Sequence, residues 1–226
     1  MKRPSLLFDL DGTLTDSREA ITHSIQYALE QVGVTGVAAE DLSWCVGPPL
    51  VDSLDKLLGP GRRHRARQAL EHYQRRYQEV GIFENRPYDG IQESILELEK
   101  SADLYVATSN LTRFSEQILA HFSLAGHFRR IHGCKDWSGA EKSRIIADLM
   151  RLENLQPDTT IMIGDRHHDI WAAQENHLSS VGVLWGYGGR IELTLAGADF
   201  VLTHPRELTE CFKPDLSADP AIESKR

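Results

Sequence analysis

Short apolar runs alternate along this chain with stretches whose apolar residues recur every three or four positions. The runs read as strands: Ser5 to Asp9, Leu104 to Thr108, Arg130 to Gly133, Thr160 to Gly164, Ser180 to Leu184 and Phe200 to Leu202. The stretches between most of them, 91–100, 113–121, 140–152, 168–176 and 190–196, read as helices. Strand and helix taking turns in this way predict an α/β fold built on a doubly wound parallel sheet.

One interval breaks the alternation. From residue 16 to 88 the only periodicity is helical. Ile21, Ile25, Ala28, Leu29 and Val32 form one apolar stripe, and Ala66, Leu70, Tyr73, Tyr77 and Val80 form another. An all-α insertion at 16–88 is therefore predicted, with 1–15 and 89–212 as the core. Asp16 followed by Glu19 has the spacing of a capping box and is expected to open the first inserted helix. Arg62, Arg63, Arg65, Arg67, Arg75 and Arg76 read as the water-facing side of an inserted helix. Residues 213–226 mix Pro, Asp, Ser and Lys with little apolar content and are expected to be poorly ordered.

Composition narrows the function classes. A chain of 226 residues, 41% apolar and 26% charged, suits a soluble core with a smaller insert. The net charge of −8 argues against a nucleic-acid polymer as partner. It leaves room for a small phosphorylated metabolite, because a bound metal inverts the local field. The apolar runs are too short to span a bilayer, so no membrane partner is expected. Met1-Lys2-Arg3-Pro4 leads into a strand and not into a signal peptide. Cys45, Cys134 and Cys211 are scattered, odd in number and free of any CxxC pattern. Small buried thiols in a reducing, cytoplasmic setting are the expectation. Monomer and homodimer both stay open.

The candidate chemistry sits at strand ends. Asp9 and Asp11 flank Leu10 where the first strand runs into a turn at Gly12. Residues two apart project to the same side of an extended chain, and buried carboxylates are costly unless a cation or chemistry uses them. A plain Asp-Gly turn is the bland alternative. An EF-hand loop fails on spacing, since Leu14 and Ala20 stand where the glycine and the bidentate glutamate belong. Thr108, Ser109 and Asn110 end a second apolar strand; hydroxyls and amides there suit phosphate oxygens, or a simple N-cap. Ser138 to Glu141 has capping-box spacing before a helix whose first turn carries Lys142. A cation there opposes the helix dipole and calls for an anion. Asp165 ends a third buried strand, with Asp169 four residues on. In open parallel sheets ligands bind beyond the carboxyl ends of the strands, which is where Asp9, Thr108 and Asp165 fall. Carboxylates beside a phosphate site suit Mg²⁺.

Two further groups carry chemistry-like residues. Adjacent His167 and His168 could suggest zinc, but neighbouring side chains point apart and the carboxylates suit magnesium better. Trp185-Gly186-Tyr187-Gly188-Gly189 lacks the order of a nucleotide-binding glycine loop and reads as a flexible segment near the cleft rim.

Asp9-Leu10-Asp11-Gly12-Thr13, Thr108, Lys142 and Gly164-Asp165 with Asp169 together resemble the four motifs of the haloacid-dehalogenase-like (HAD) hydrolase superfamily, in order and over nearly the whole chain to about residue 210. Val46 to Leu50, Phe83 to Asn85, Tyr88 to Ile91 and Val183 to Gly188 look more weakly like its phosphoglycolate phosphatase and 5′-nucleotidase branch. The resemblance implies a Rossmann-like core with a helical cap at 16–88. It implies Asp9 as nucleophile forming an aspartyl-phosphate, and Asp11 as acid and then base. It implies Mg²⁺ on Asp9, the Asp11 carbonyl and Asp165, with Asp169 behind them. It implies Thr108, Ser109, Asn110 and Lys142 on the phosphoryl oxygens, and Gly47 and Pro48 in a substrate-selecting cap loop. An aspartate at position 11 is absent from the dehalogenase and phosphonatase branches. A sugar-phosphate mutase and a non-catalytic phosphoryl-binding protein stay open as alternatives to a phosphomonoesterase.

Overall fold

A computed structural model describes residues 3–46, 50–59, 62–136 and 140–212. Gly47 and Pro48, Ser138, the Arg63 side chain and the 213–226 tail lie outside the described residues. The chain begins with β1 (Ser5–Phe8) and β2 (Thr15–Asp16), then α1 (Arg18–Gln31), α2 (Leu50–Leu58), α3 (Arg63–Glu79) and β3 (Arg86–Pro87). It continues through α4 (Ile91–Leu98), β4 (Asp103–Leu111), α5 (Thr112–His121), β5 (Arg130–Cys134) and α6 (Lys142–Glu153). It closes with β6 (Thr160–Gly164), α7 (His167–Glu175), β7 (Ser179–Val183), α8 (Arg190–Ala196), β8 (Phe200–Leu202) and α9 (Arg206–Cys211).

Six strands form one parallel sheet in the order β5-β4-β1-β6-β7-β8. β1 lies at its centre, and Ser5 to Phe8 are all buried. A strand covered on both faces has no wet side, which explains a continuous apolar run without alternation. Phe8 pairs with Val106 of β4 on one side and Ile163 of β6 on the other. That register brings the ends of β1, β4 and β6 to one edge. After β1 the chain builds the sheet outward through β4 and β5, then returns to the other side of β1 for β6, so the order reverses beside β1.

α1 to α3 occupy the interval between β2 and β3, which pair antiparallel as a two-stranded ribbon. The sequence did not disclose this ribbon, since two-residue strands carry no readable period. α1 packs on α3, and α3 on α2. Ile25, Ala28 and Leu29 of the first stripe are buried, with Tyr73 and Tyr77 of the second. Val80 departs from its stripe and is exposed, because α3 ends at Glu79 and a 3₁₀ turn over Gly81–Phe83 follows.

Several local expectations are corrected. The N-cap of α1 is Ser17, and no capping box forms there. Asp16 instead accepts the Arg18 N–H at 3.0 Å, while Glu19 pairs with Arg86. Glu141 is itself the N-cap residue of α6 and makes no side-chain capping bond. The arginine run is not all wet: Arg76 pairs with Glu84 at 2.8 Å and donates to Ser24, and Arg65 donates to the Val32 carbonyl. Cys45 and Cys134 are buried, but Cys211 is exposed. Among the described residues, no helix is long and apolar enough to cross a membrane.

Candidate active site

Asp9 directly follows β1, and its N–H still donates to the Ile163 carbonyl of β6 at 2.9 Å. The chain then wraps tightly: the N–H groups of Thr13, Leu14 and Thr15 all point to the Leu10 carbonyl. Gly12 sits at φ +88° in this wrap, and a Cβ there would lie 2.3 Å from Asp165 Oδ2. Only glycine allows both the left-handed backbone and the approach of that carboxylate.

Three carboxylates and one ammonium form the centre. Lys142 Nζ lies 2.7 Å from Asp9 Oδ1 and 2.9 Å from Asp169 Oδ1. Asp9 Oδ1 also accepts the Leu10 N–H at 2.8 Å. Asp169 is the third residue of α7 and accepts the Arg166 N–H through Oδ2 at 3.1 Å, which fixes its rotamer. Asp165 is wholly buried; its Oδ2 accepts the Tyr187 N–H at 2.7 Å, and the Thr13 hydroxyl stands 3.5 Å from Oδ1. One carboxylate oxygen from each of Asp9, Asp165 and Asp169 lies within 4.8 Å of the others.

The electrostatics follow from burial. Loss of water pushes the Asp9 carboxyl up to about 7, against the pull of Lys142 and with the push of Asp169. Burial first, then Asp169 and Asp9, raises Asp165 well above the usual carboxylate range. Burial opposes the charge of Lys142, but Asp169 and Asp9 outweigh it and hold the ammonium protonated. Three carboxylates against one cation leave negative charge in a dry pocket, which is costly without a further cation. The donors are all hard oxygens, so the set fits a divalent ion such as Mg²⁺ and not a soft metal.

Asp11 stands apart from that cluster. Its Oδ2 accepts the Asn110 side-chain amide at 3.2 Å, while its buried Oδ1 has no hydrogen-bond partner among the described residues. Burial raises its carboxyl, and the Ser17 side chain first, then the Asn110 hydrogen bond, work against the rise. The same Asn110 amide donates to the Tyr77 hydroxyl of α3 at 3.0 Å, so the insert touches the group that orients Asp11.

The residues singled out in the sequence gather as follows. Asp9, Asp11, Thr108, Ser109, Asn110, Lys142 and Asp169 line one cleft of about 620 Å³, while Asp165 is buried against Gly12 and is not part of that lining. Asp169 stands within the carboxylate cluster, where the resemblance implies a place behind the others. Lys142 is clamped between two aspartates. The backbone past Thr108 differs from the expected helix start: β4 runs on to Leu111 with a register shift, and α5 begins at Thr112. The Asn110 N–H is thereby used on Thr108 Oγ1 at 3.1 Å, and is not free for a phosphate oxygen. His167 and His168 do not point apart; their ring centroids lie 3.8 Å from each other, because His167 reaches Glu192 and both rings lean toward Trp171.

The segment after β7 is the main feature that sequence reasoning missed. It is pinned at four points rather than loose. Trp185 Nε1 donates to the Thr13 carbonyl at 2.9 Å, and the Tyr187 N–H holds Asp165. The Tyr187 hydroxyl donates to Asp16 at 2.8 Å and accepts the Ser17 N–H at 2.7 Å. Its signal was present: polar aromatics among glycines at the carboxyl end of a strand, on the edge where ligands bind.

The family model of haloacid dehalogenase-like hydrolases matches residues 6–183. The chain belongs to this family. It is similar to a 5′-nucleotidase of Pseudomonas aeruginosa, 39% identical over 195 residues that cover 85% of this chain and 88% of the relative. It is also similar to the tyrosine-protein kinase PtkA of Mycobacterium tuberculosis, 33% identical over 91% of this chain and 70% of the relative. Among solved structures, a predicted phosphatase from Clostridium acetobutylicum superposes with a TM-score of 0.86 at 38% identity, covering 93% of this chain and 98% of its own.

Proposed function

We propose that the chain is a magnesium-dependent phosphomonoesterase that acts through an aspartyl-phosphate on a small phosphorylated metabolite, a 5′-nucleotide in preference to phosphoglycolate. What carries the reading is a pair of carboxylates two residues apart in different settings. Asp9 is clamped by Lys142 at 2.7 Å, and Asp11 stands outside that cluster on Asn110. Paired carboxylates held in unlike environments divide nucleophile from acid and base.

In the first step an Asp9 oxygen attacks phosphorus, the bond from phosphorus to the leaving oxygen breaks, and Asp11 gives that oxygen its proton. In the second step Asp11 takes a proton from water as the water oxygen attacks the same phosphorus. The bond to Asp9 breaks and free phosphate leaves. Asp9, the Asp11 carbonyl and Asp165 would hold magnesium, with Asp169 available from the same cluster. When bound, the ion supplies positive charge against the phosphoryl oxygens. Thr108 is buried, and its hydroxyl already accepts the Asn110 N–H, which leaves its own hydrogen to donate to a phosphoryl oxygen. Ser109 is exposed at the cleft for the same use. Residues 16–88 act as the cap that closes over the leaving group and excludes water.

The test is phosphate release from nucleoside 5′-monophosphates, phosphoglycolate and sugar phosphates. Release with Mg²⁺, its loss in EDTA and its loss in Asp9→Asn are expected. Full turnover in metal-free buffer, or in Asp9→Asn, overturns the reading.

A further inference from the structure

We propose that the face of α7 at the cleft mouth is a base-binding subsite, in which Trp171 stacks the heterocycle of a nucleoside 5′-monophosphate. The inference rests on the phosphomonoesterase reading and narrows its substrate. Besides Asp169, four α7 residues line the cleft: His168, Trp171, Ala172 and Glu175. They stand at i, i+3, i+4 and i+7, which is one face of a helix. Asp169 lies on the first turn of the same helix, with its carboxylate on Lys142. The face therefore begins beside the reaction centre and runs outward from it.

Trp171 is the feature that calls for a ligand. It lines the cleft and is 50% exposed, a large flat apolar surface left in water. Tryptophan combines a large flat apolar face with a polar edge, the combination that binding surfaces favour. The His167 ring braces it edge-on at 4.5 Å, so the indole is held in place. Leu50 and Val51 of α2 line the same cleft, and Val51 is 38% exposed. An aromatic platform with aliphatic side chains in the same cleft suits a flat ring.

Charge selects the leaving group. Asp52, Asp136, Glu141 and Glu175 stand in the lining. The cations there are committed: Lys142 to Asp9 and Asp169, and Arg166 to Glu192 at 2.8 Å. A leaving group with its own carboxylate, as in phosphoglycolate, meets repulsion at this rim. A nucleobase is uncharged, stacks on indole, and brings N–H donors to groups that only accept.

The deciding comparison uses AMP and ribose 5-phosphate, which share everything but the base. kcat/KM for each is measured in the wild type, Trp171→Ala and Trp171→Phe. The wild type should prefer AMP by about 10-fold or more, the scale of one base stacked on an aromatic ring. Trp171→Ala should collapse that preference, mainly through KM for AMP, and Trp171→Phe should restore most of it. A wild type without preference for AMP, or a preference that survives Trp171→Ala, overturns the subsite and leaves the phosphomonoesterase reading standing. If neither ester is hydrolysed, that reading fails by itself and titration calorimetry with Mg²⁺ decides the subsite. Tighter binding of AMP than of ribose 5-phosphate, lost in Trp171→Ala, supports it; equal or undetectable binding of both overturns it.

Discussion

Single side chains in this site are set by the company they keep, and Glu192 shows the size of the effect. Partial burial alone would raise its carboxyl, but the His167 N–H and the Arg166 and His167 side chains outweigh that and hold it at about 2, against an ordinary 4.5. The contacts are short: 2.8 Å from Arg166 Nε and 3.0 Å from the His167 N–H. A folded-state value below the unfolded one contributes stability that is complete above the unfolded value and is lost as pH falls through the folded one. Glu192→Gln should therefore lower stability at neutral pH by roughly 1–2 kcal/mol, after allowance for partial exposure to water. The gap from the wild type should close as pH falls from about 4.5 toward about 2. Urea midpoints at pH 7 and in that acid window check it; a gap of constant size would show that Glu192 acts through packing and not through charge. Residue by residue, the sequence was readable where position alone demands a purpose. Asp9 and Asp165 stand at ends of buried strands, and a carboxylate there needs a cation or chemistry. Lys142 was readable as a cation needing an anion, but not as the bridge between Asp9 and Asp169, because those partners lie 133 and 27 residues away in the chain.

At the scale of elements, strands and helices were legible because burial writes period and length into sequence. Helix ends were less so, since caps depend on single hydrogen bonds that neighbours can outcompete. The Asp16 carboxylate that capping-box spacing assigns to the first helix is shared between the Arg18 N–H and the Tyr187 hydroxyl. The segment after β7 was legible in composition and not in contacts. Its fit against β6 is tight enough to test with adjacent glycines. A Cβ on Gly188 would lie 1.8 Å from the Asp165 carbonyl oxygen, while one on Gly189 meets nothing within 4 Å. The contact at Gly188 is backbone, so relief requires moving either the segment or the end of β6 that carries Asp165. Gly188→Ala should weaken Mg²⁺ binding, read as a several-fold rise in the half-saturating concentration, and should lower the melting temperature. Gly189→Ala should cost only the N-cap preference of α8, roughly 0.5 kcal/mol, with metal dependence kept. Equal effects at the two positions would sink the idea that this segment positions Asp165.

The whole molecule decides what kind of phosphoryl transfer the cleft can perform. A sugar-phosphate mutase uses a similar pair of aspartates, but it must hold a bisphosphate with its second phosphate away from the first. That phosphate needs cations from the insert, since α1 to α3 face the reaction centre across the cleft. Among the described residues, the insert contributes Ile21, Cys45, Leu50, Val51, Asp52, Tyr73 and Tyr77 to the lining, and none is cationic. Three of its cations are engaged elsewhere: Lys56 over the Trp44 ring at 5.7 Å, Arg76 on Glu84, and Arg65 on the Val32 carbonyl. A doubly charged group placed against Asp52 without a partner would be repelled and would lose its hydration. A sugar monophosphate given to this protein with Mg²⁺ should therefore yield free phosphate and the bare sugar. Phosphorus-31 NMR separates the outcomes by following the products over time. An isomerised sugar phosphate formed faster than free phosphate would mean that the insert holds a second phosphate after all, and that hydrolysis is the side reaction.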